Sequence, residues 1–444
     1  MRSTVTTPTI RREAGFTAVE LLVSMLVSSV VLLGVLLLFD FSQRISRVQT
    51  NVAEMQQSLR VGQYDAVRLI RMAGRGGLPL GNLPTGQAVA VRNNVAAATL
   101  IGPAGTPAVL AGTDVLTVRG VFSSPIYQVA SADPASFQLD DMVAPATATS
   151  GTLALRNFTP TGIPQDLAAI IEAVDRGIPE ALLLVSPRDA GRYTVVELDP
   201  STSDVANPAQ IRIGFRIRGT PQSVAYSGFS ADGPGTYPAD LTSVAFVGIL
   251  EEYRFYVREE YDIPGDAASD LTSRLSRARV YPGTELPWRG DDDLDVEDEA
   301  DSSVLDEDHP NWRQDIADNI LDFQNALGLD STYDGTLGAD DNDTGADDEI
   351  REAADGDRDD WLFNGTTDTA ADPAWAGAPL YYIRLSTLAR TDRRDPEYEA
   401  PLLARIEDRT YATTHRFNVS RAGGGTDRMF RRRLLQTVVD MRNL

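Results

Sequence analysis

Between Phe16 and Phe39 the chain is apolar, and Glu20 is its one ionisable side chain. Those 24 residues make about 36 Å of helix, enough to cross a bilayer with some tilt. Beyond Phe39 the pattern changes. Phe41, Ile45, Val48, Val52, Met55, Leu59, Gly62, Ala66, Leu69 and Ala73 recur at alternating spacings of four and three, which is one continuous stripe on a helix. Arg44, Arg47, Asn51, Glu54, Arg60 and Asp65 fill the other faces. No proline interrupts Phe16 to Leu78. The pattern therefore predicts one helix from Phe16 to about Ala73, closed by Gly74, Gly76 and Gly77 and then Pro79. By itself the stripe fits either a coiled coil or packing on a sheet.

After the helix the period falls to two. Residues 78–113 are rich in Gly, Pro and Ala and read as a loop with one short strand. Strand patterns follow at Asp114–Arg119, Ile126–Ala130, Leu182–Ser186, Tyr193–Leu198, Ile211–Arg218 and Val244–Val257, rich in Val, Ile, Tyr and Phe and separated by turn residues. Ile211–Arg218 alternates cleanly, which predicts one buried and one wet face. Gln165–Arg176 reads as a short helix. Residues 262–377 break the pattern with acidic runs, and inside them Trp312–Leu327 carries Ile316, Ile320, Phe323 and Leu327 at helical spacing. Strand character returns at Leu380–Leu388, Leu402–Ile406, Thr413–Val419 and Leu434–Val439. The fold class is thus α+β, with a long N-terminal helix, an antiparallel β-rich globular domain and a large acidic insertion. The boundaries are 1–15 for a basic leader, 16–39 for a transmembrane helix, 40–76 for its continuation, 77–261 for the β-rich domain, 262–377 for the acidic insertion and 378–444 for the C-terminal strands.

Charge sharpens this division. The net charge is −24 over 444 residues. Residues 291–360 hold 27 Asp or Glu and three Arg, so the whole excess sits in that segment. The rest of the chain is balanced and offers no concentrated basic face for phosphate, which disfavours nucleic acid as a partner. There is no cysteine and no lysine. Thiolate chemistry, Schiff bases and P-loops are thereby excluded. His309 and His415 are far apart in sequence and read as surface or packed side chains. The hydrolase, metalloprotease and dinucleotide motifs are missing, so the chain does not read as an enzyme and requires no cofactor. Arg431, Arg432 and Arg433 read as a solvated face or as partners for acidic groups across a subunit contact.

The leader carries the sharpest motif. Arg11, Arg12 and Glu13 precede Gly15-Phe16-Thr17-Ala18-Val19-Glu20 and the apolar run. A secretory signal peptide has a shorter apolar region, and its small-residue cleavage site follows that region; here the glycine comes first. The arrangement resembles the class III signal of type IV pilins and type II secretion pseudopilins. The resemblance implies cleavage between Gly15 and Phe16 by a prepilin peptidase and N-methylation of Phe16. It also implies that the helical stripe packs on the β-sheet of a pilin-like fold. Glu20 becomes the fifth residue of the processed chain, where its carboxylate would pair with the N-terminal amine of a neighbouring subunit and set the register of assembly. Many pilins carry a proline in the membrane half of this helix; this chain has Gly34 as its one weak point there.

Three later segments resemble PilW-type minor pilins: Gly112–Arg119, Tyr382–Thr391 and Arg431–Asn443. The resemblance implies a structural minor pilin, held in the inner membrane by a single span and then assembled with other pilin subunits into an extracellular pilus, in its tip or priming complex. The bulk of the globular part favours that position over repetition along a filament. The alternatives are a large minor pseudopilin of a type II secretion system, with a periplasmic pseudopilus as its place, and an adhesin presented at the tip. The acidic insertion adds a candidate metal site. Asp341, Asp343, Asp347 and Asp348 cluster around Gly345, and Asp355, Asp357 and Asp359 are spaced two apart. Oxygen ligands on such a loop suit Ca²⁺, although the spacing lacks the glycine and closing glutamate of an EF-hand loop. A solvated acidic loop that only keeps the surface soluble is the alternative.

Overall fold

The computed structural model describes residues 17–78, 88–95, 109–129, 150–155, 180–185, 193–204, 211–216, 246–261, 271–280, 282, 313–329, 380–407, 409–420, 424–425 and 427–441. The chain falls into two compact units, Met1–Glu54 and Met55–Leu444. Helix α1, Ala18–Arg71, supplies the described part of the first unit and the opening of the second. In the first unit its apolar residues lie open, with Leu22 66% and Leu38 72% exposed, and the helix is long and apolar enough to cross a membrane. The Asp40–Arg44 ion pair, 3.0 Å, follows the apolar run.

In the second unit α1 is a docked helix. Met55, Leu59, Gly62, Ala66, Leu69 and Ala73 of the expected stripe are all buried. The helix then ends in a glycine turn. Gly76 has φ +102, and a Cβ there would lie 2.6 Å from Val121 Cγ2, so both the backbone conformation and the contact require glycine. Gly74 N–H donates to the Arg119 carbonyl at 2.9 Å and ties this turn to the sheet.

The strands are β1 (Val89–Arg92), β2 (Val115–Gly120), β3 (Tyr127–Gln128), β4 (Ser150–Leu155), β5 (Ala181–Val185), β6 (Tyr193–Asp204), β7 (Ile211–Arg216), β8 (Phe246–Tyr261), β9 (Leu271–Val280), β10 (Arg313–Asp318), β11 (Ile320–Leu329), β12 (Leu380–Arg390), β13 (Arg405–Ile406), β14 (Arg409–Thr410) and β15 (Arg432–Asp440). All of their pairings are antiparallel. The larger sheet runs β1-β2-β8-β5-β6-β7-β4, with β3 and β9 also on β8 and β10 on β9. The 16-residue β8 is its spine: residues 246–250 pair β5, and residues 252–261 pair β9. A second sheet runs β11-β12-β15, and β13 and β14 form a small ribbon. The core of the larger sheet gathers Leu153, Leu182, Leu184, Leu198, Ile213, Phe215 and Ile249. A smaller core of Leu321, Leu388, Ile406, Tyr411 and Phe417 joins the second sheet to the segment between β12 and β15.

Several expectations change. Trp312–Leu327 is not a helix. Its described part is β10 and β11, separated by Asn319 at φ 60. Ile320 to Gly328 are buried without a break, so the two-residue alternation of a half-buried strand is absent and the apolar spacing imitates a helix. The span 262–377 therefore contributes three strands, β9, β10 and β11, to the two sheets, and cannot be set aside whole as an insertion. Thr413–Val419 is a run of turns rather than a strand, held by Asn418, whose Nδ2 donates to the carbonyls of Leu403 and Ala412 at 2.7 and 3.0 Å. Ile211–Arg216 alternates as expected through Phe215, except that Gly214 is also buried. Strand β4 carried no signal strong enough to read. The expected helix at Gln165–Arg176 lies outside the described residues.

Candidate functional site

The residues singled out by sequence begin at the N-terminus. Gly15 and Phe16 lie outside the described residues. The next four residues form a closed local unit. Thr17 N–H and Thr17 Oγ1 both donate to Glu20 Oε2 at 3.0 Å, and Glu20 N–H donates back to Thr17 Oγ1 at 3.3 Å. This is a reciprocal capping box, Thr-x-x-Glu, which satisfies amides that the first turn of a helix leaves without partners. The Thr-x-x-Glu spacing is itself the sequence signal for such a box, hidden by the conspicuous charge of Glu20 in an apolar run. Glu20 is exposed, and Gly34 has open space where a side chain would go.

In the second unit the docked half of α1 is fixed by polar contacts as well as by its stripe. Gln63 is buried at 4% exposure. Its Nε2 donates to Thr387 Oγ1 at 3.2 Å and to the Leu435 carbonyl at 3.0 Å, and its Oε1 accepts from Thr437 Oγ1 at 2.6 Å. One amide thus joins the helix to β12 and β15. On the other side Asp65 pairs with Arg277 of β9 at 2.9 Å, so Asp65 belongs to the docked face, against its reading as a solvated residue. Ser58 Oγ donates to the Asp318 carbonyl at 3.0 Å. Gly62 lets the helix approach closely: a Cβ there would stand 3.0 Å from Ala317 Cβ and 3.1 Å from Leu275 Cδ2.

Of the three segments that carried the looser resemblance, Tyr382–Thr391 and Arg431–Asn443 hold the helix through Gln63, and all three carry further polar contacts. Asp114 is fully buried. It accepts Asn94 N–H on Oδ1 at 2.9 Å and Asn325 N–H on Oδ2 at 2.6 Å, while its own N–H donates to the Phe323 carbonyl at 2.9 Å. Asp114 therefore imitates a paired strand along β11 and joins the two sheets. Arg384, Ser386 and Gln436, from the other two segments, converge on Glu407. Arg384 makes the two-pronged contact, with Nε 3.0 Å from Oε1 and Nη2 2.6 Å from Oε2. Arg409 closes the group. Its Nη1 lies 2.9 Å from Asp322 Oδ1, and its Nη2 donates to the Ala111 carbonyl at 2.9 Å. Burial pushes the Asp322 carboxyl up to about 6, against the pull of Arg409 and Gln324.

Several other charged groups among the described residues are structural partners of one another. Glu251 accepts the amides of Phe122 and Ser123 at 2.9 and 2.7 Å. Burial raises Glu180 although Arg279 lies 3.0 Å away, and pushes the neighbouring Tyr253 hydroxyl up to about 12. Burial works against Asp315 as well, yet the hydrogen bonds and charge of Arg258, with Ser276, hold its carboxyl below the usual value. Asp315, Asp318 and Asp322 belong to the acidic span, and each pairs with an arginine of a neighbouring strand or ribbon. Arg431 and Arg432 are committed within the chain: Arg431 to Asp395 at 2.8 Å and over the Tyr398 ring, Arg432 to the carbonyls of Phe417 and Asp427. Arg433 alone of the three is exposed. His415 is a packed histidine against Tyr411 and Phe417, its Nδ1 accepting Phe417 N–H at 3.3 Å.

Asp341, Asp343, Asp347, Asp348, Asp355, Asp357 and Asp359 lie outside the described residues. Among the described residues no group of three or more His, Asp or Glu side chains is placed to hold a metal ion. In comparison with known proteins, no family model, no curated protein and no solved structure matches the chain.

Proposed function

We propose that the chain is a structural subunit of a type IV pilus-like filament, processed between Gly15 and Phe16 and assembled through α1. The observation that carries this reading is the division of one helix into two chemically different halves. The first half is an unburied apolar run that opens on the Thr17–Glu20 box. The second is a stripe buried against antiparallel strands and locked by Gln63 and Asp65. The apolar run alone would hold a domain to a bilayer; the basic leader, Gly15 and Glu20 at its start are what the resemblance to the class III signal adds. The apolar half would hold the chain in the inner membrane and, after assembly, pack against the helices of other subunits, with Glu20 available to a neighbour's amine. A globular part of this size suits the tip or priming complex of a pilus of the PilW-type minor pilins.

The test is the mass of the mature N-terminus, followed by the content of sheared filaments. A chain that begins at Phe16, carries one added methyl group and co-purifies with filaments is the expected result. A chain that keeps Met1, or one cut after Phe39, would remove the reading. Gly15→Arg should leave the uncut precursor in the membrane.

A further inference from the structure

The docked half of α1 has a second face. From Met55 to Arg71 the exposed positions are Gln57, Arg60, Val61, Tyr64, Arg68 and Arg71. At 100° per residue they form one stripe centred opposite Met55, Leu59, Ala66 and Ile70. Val61 is 51% exposed and Tyr64 72%. Arg60 and Arg68 each stand one turn from Tyr64, so an arginine flanks it on either side along the helix. A solvated helix face usually interleaves both signs of charge at this spacing. This one does not, because the carboxylate within reach, Asp65, is spent on Arg277 at 2.9 Å and touches Arg68 at 3.6 Å. Arg60 and Arg71 have no acidic partner among the described residues. Tyr and Arg exposed together around an apolar centre is the composition of interface centres rather than of open surface.

We propose that this stripe is a protein-binding face that takes a carboxylate-bearing surface of a neighbouring filament subunit, with Tyr64 and Val61 as its anchor and Arg60 and Arg71 as its charge pair. The proposal rests on the assembly reading and names the chemistry of the partner. Anionic lipid is the other source of negative charge near such a helix. Belts of Tyr and Arg that serve headgroups sit at the ends of the span itself, whereas Tyr64 comes 25 residues after Phe39. Carboxylates of a protein therefore fit the face better than phosphates of a bilayer.

Two variants and one probe test it in cells that assemble the filament. Arg60→Glu with Arg71→Glu reverses two exposed charges without touching the docked face. The double variant should be cut after Gly15 and melt like the wild type, yet its share of sheared filaments should fall about tenfold or more. Arg60→Lys with Arg71→Lys should keep most of that share. A benzophenone amino acid in place of Tyr64 should, on irradiation, link the chain to a second filament subunit. Incorporation of the double Glu variant at the wild-type level would overturn the proposal, and so would a probe adduct with phospholipid in place of protein. A processed, membrane-bound wild type that is absent from filaments gives a different result: it overturns the assembly reading, and this partner falls with it.

Discussion

At the scale of single residues, Glu20 has two roles that can be separated. It closes the capping box with Thr17, and it would pair with a neighbour's amine during assembly. Glutamine serves a capping box as well as glutamate does, but it carries no charge. Glu20→Gln should therefore keep the helix start and membrane insertion while losing filament incorporation. Glu20→Ala should lose its own half of the capping box, leaving Thr17 Oγ1 to accept the residue-20 amide, and should lose incorporation. Wild-type amounts of the Gln variant in sheared filaments would leave capping as the role of this residue. Asp322 offers a test in the globular unit. Its carboxyl is raised to about 6 by burial, so the protonated form suits the fold better than the ionised one. A raised carboxyl contributes stability below its unfolded value near 3.8, and that contribution is lost as pH rises through about 6. His415 works in the opposite direction. Burial, then Arg409 and Arg416, lower its value, so its contribution is present above about pH 6.5 and lost as pH falls. Asp322→Asn isolates the first effect: its melting temperature should exceed that of the wild type near neutral pH, and the difference should vanish toward about pH 4. An equal difference at every pH would show that the Asp322 carboxyl titrates alike in the folded and unfolded chain.

At the scale of elements, the helix and most strands were legible because each keeps a clean period. The stripe from Met55 to Ala73 needed nothing but its four-and-three spacing, and β7 nothing but alternation. Legibility failed where a strand is covered on both faces. Ile320 to Gly328 of β11 are all buried, with Leu321 in the Ile406–Phe417 core, so its apolar run has no wet partner positions and its spacing matched a helix by accident. The polar anchors Gln63, Asp65 and Asp114 were illegible for another reason: a buried polar residue reads as solvated until its distant partners, here from 211 to 374 positions away, are known. These anchors and Gly62 make the docking of α1 brittle. Gly62→Leu forces a side chain into the gap beside Ala317 and Leu275 and should cost roughly 1–3 kcal/mol. Gln63→Leu leaves the hydroxyls of Thr387 and Thr437 and the Leu435 carbonyl without the amide, and should cost about 2–4 kcal/mol. Chemical denaturation of the full chain in detergent reads both; an unchanged midpoint for either would mean that the helix docks through its apolar stripe alone.

At the scale of the whole molecule, the open question is how a chain of net charge −24 carries so much of it in one span. Part of the answer is in the strands. Asp315 lies against Arg258 and Arg274, Asp318 against Arg274, and Asp322 against Arg409, so these acidic residues are neutralised by the fold itself. The runs on either side, 291–308 and 330–360, hold most of the excess, and like charges at that density repel unless cations collect among them. We propose that calcium does so, through Asp341, Asp343, Asp347, Asp355, Asp357 and Asp359, since oxygen-rich loops suit its demand for about six to eight ligands. Limited proteolysis must be read with the strands in mind. β10 and β11 are hydrogen-bonded strands of the sheets, so protection of residues 313–329 is not a readout of calcium. The diagnostic cleavages are those within 330–360. Calcium at roughly millimolar concentration should suppress them and raise the melting temperature in proportion to its binding free energy, whereas the same ionic strength of sodium should not. If cleavage within 330–360 and the melting temperature respond equally to both salts, the acid runs are screened by ionic strength alone and hold no bound ion.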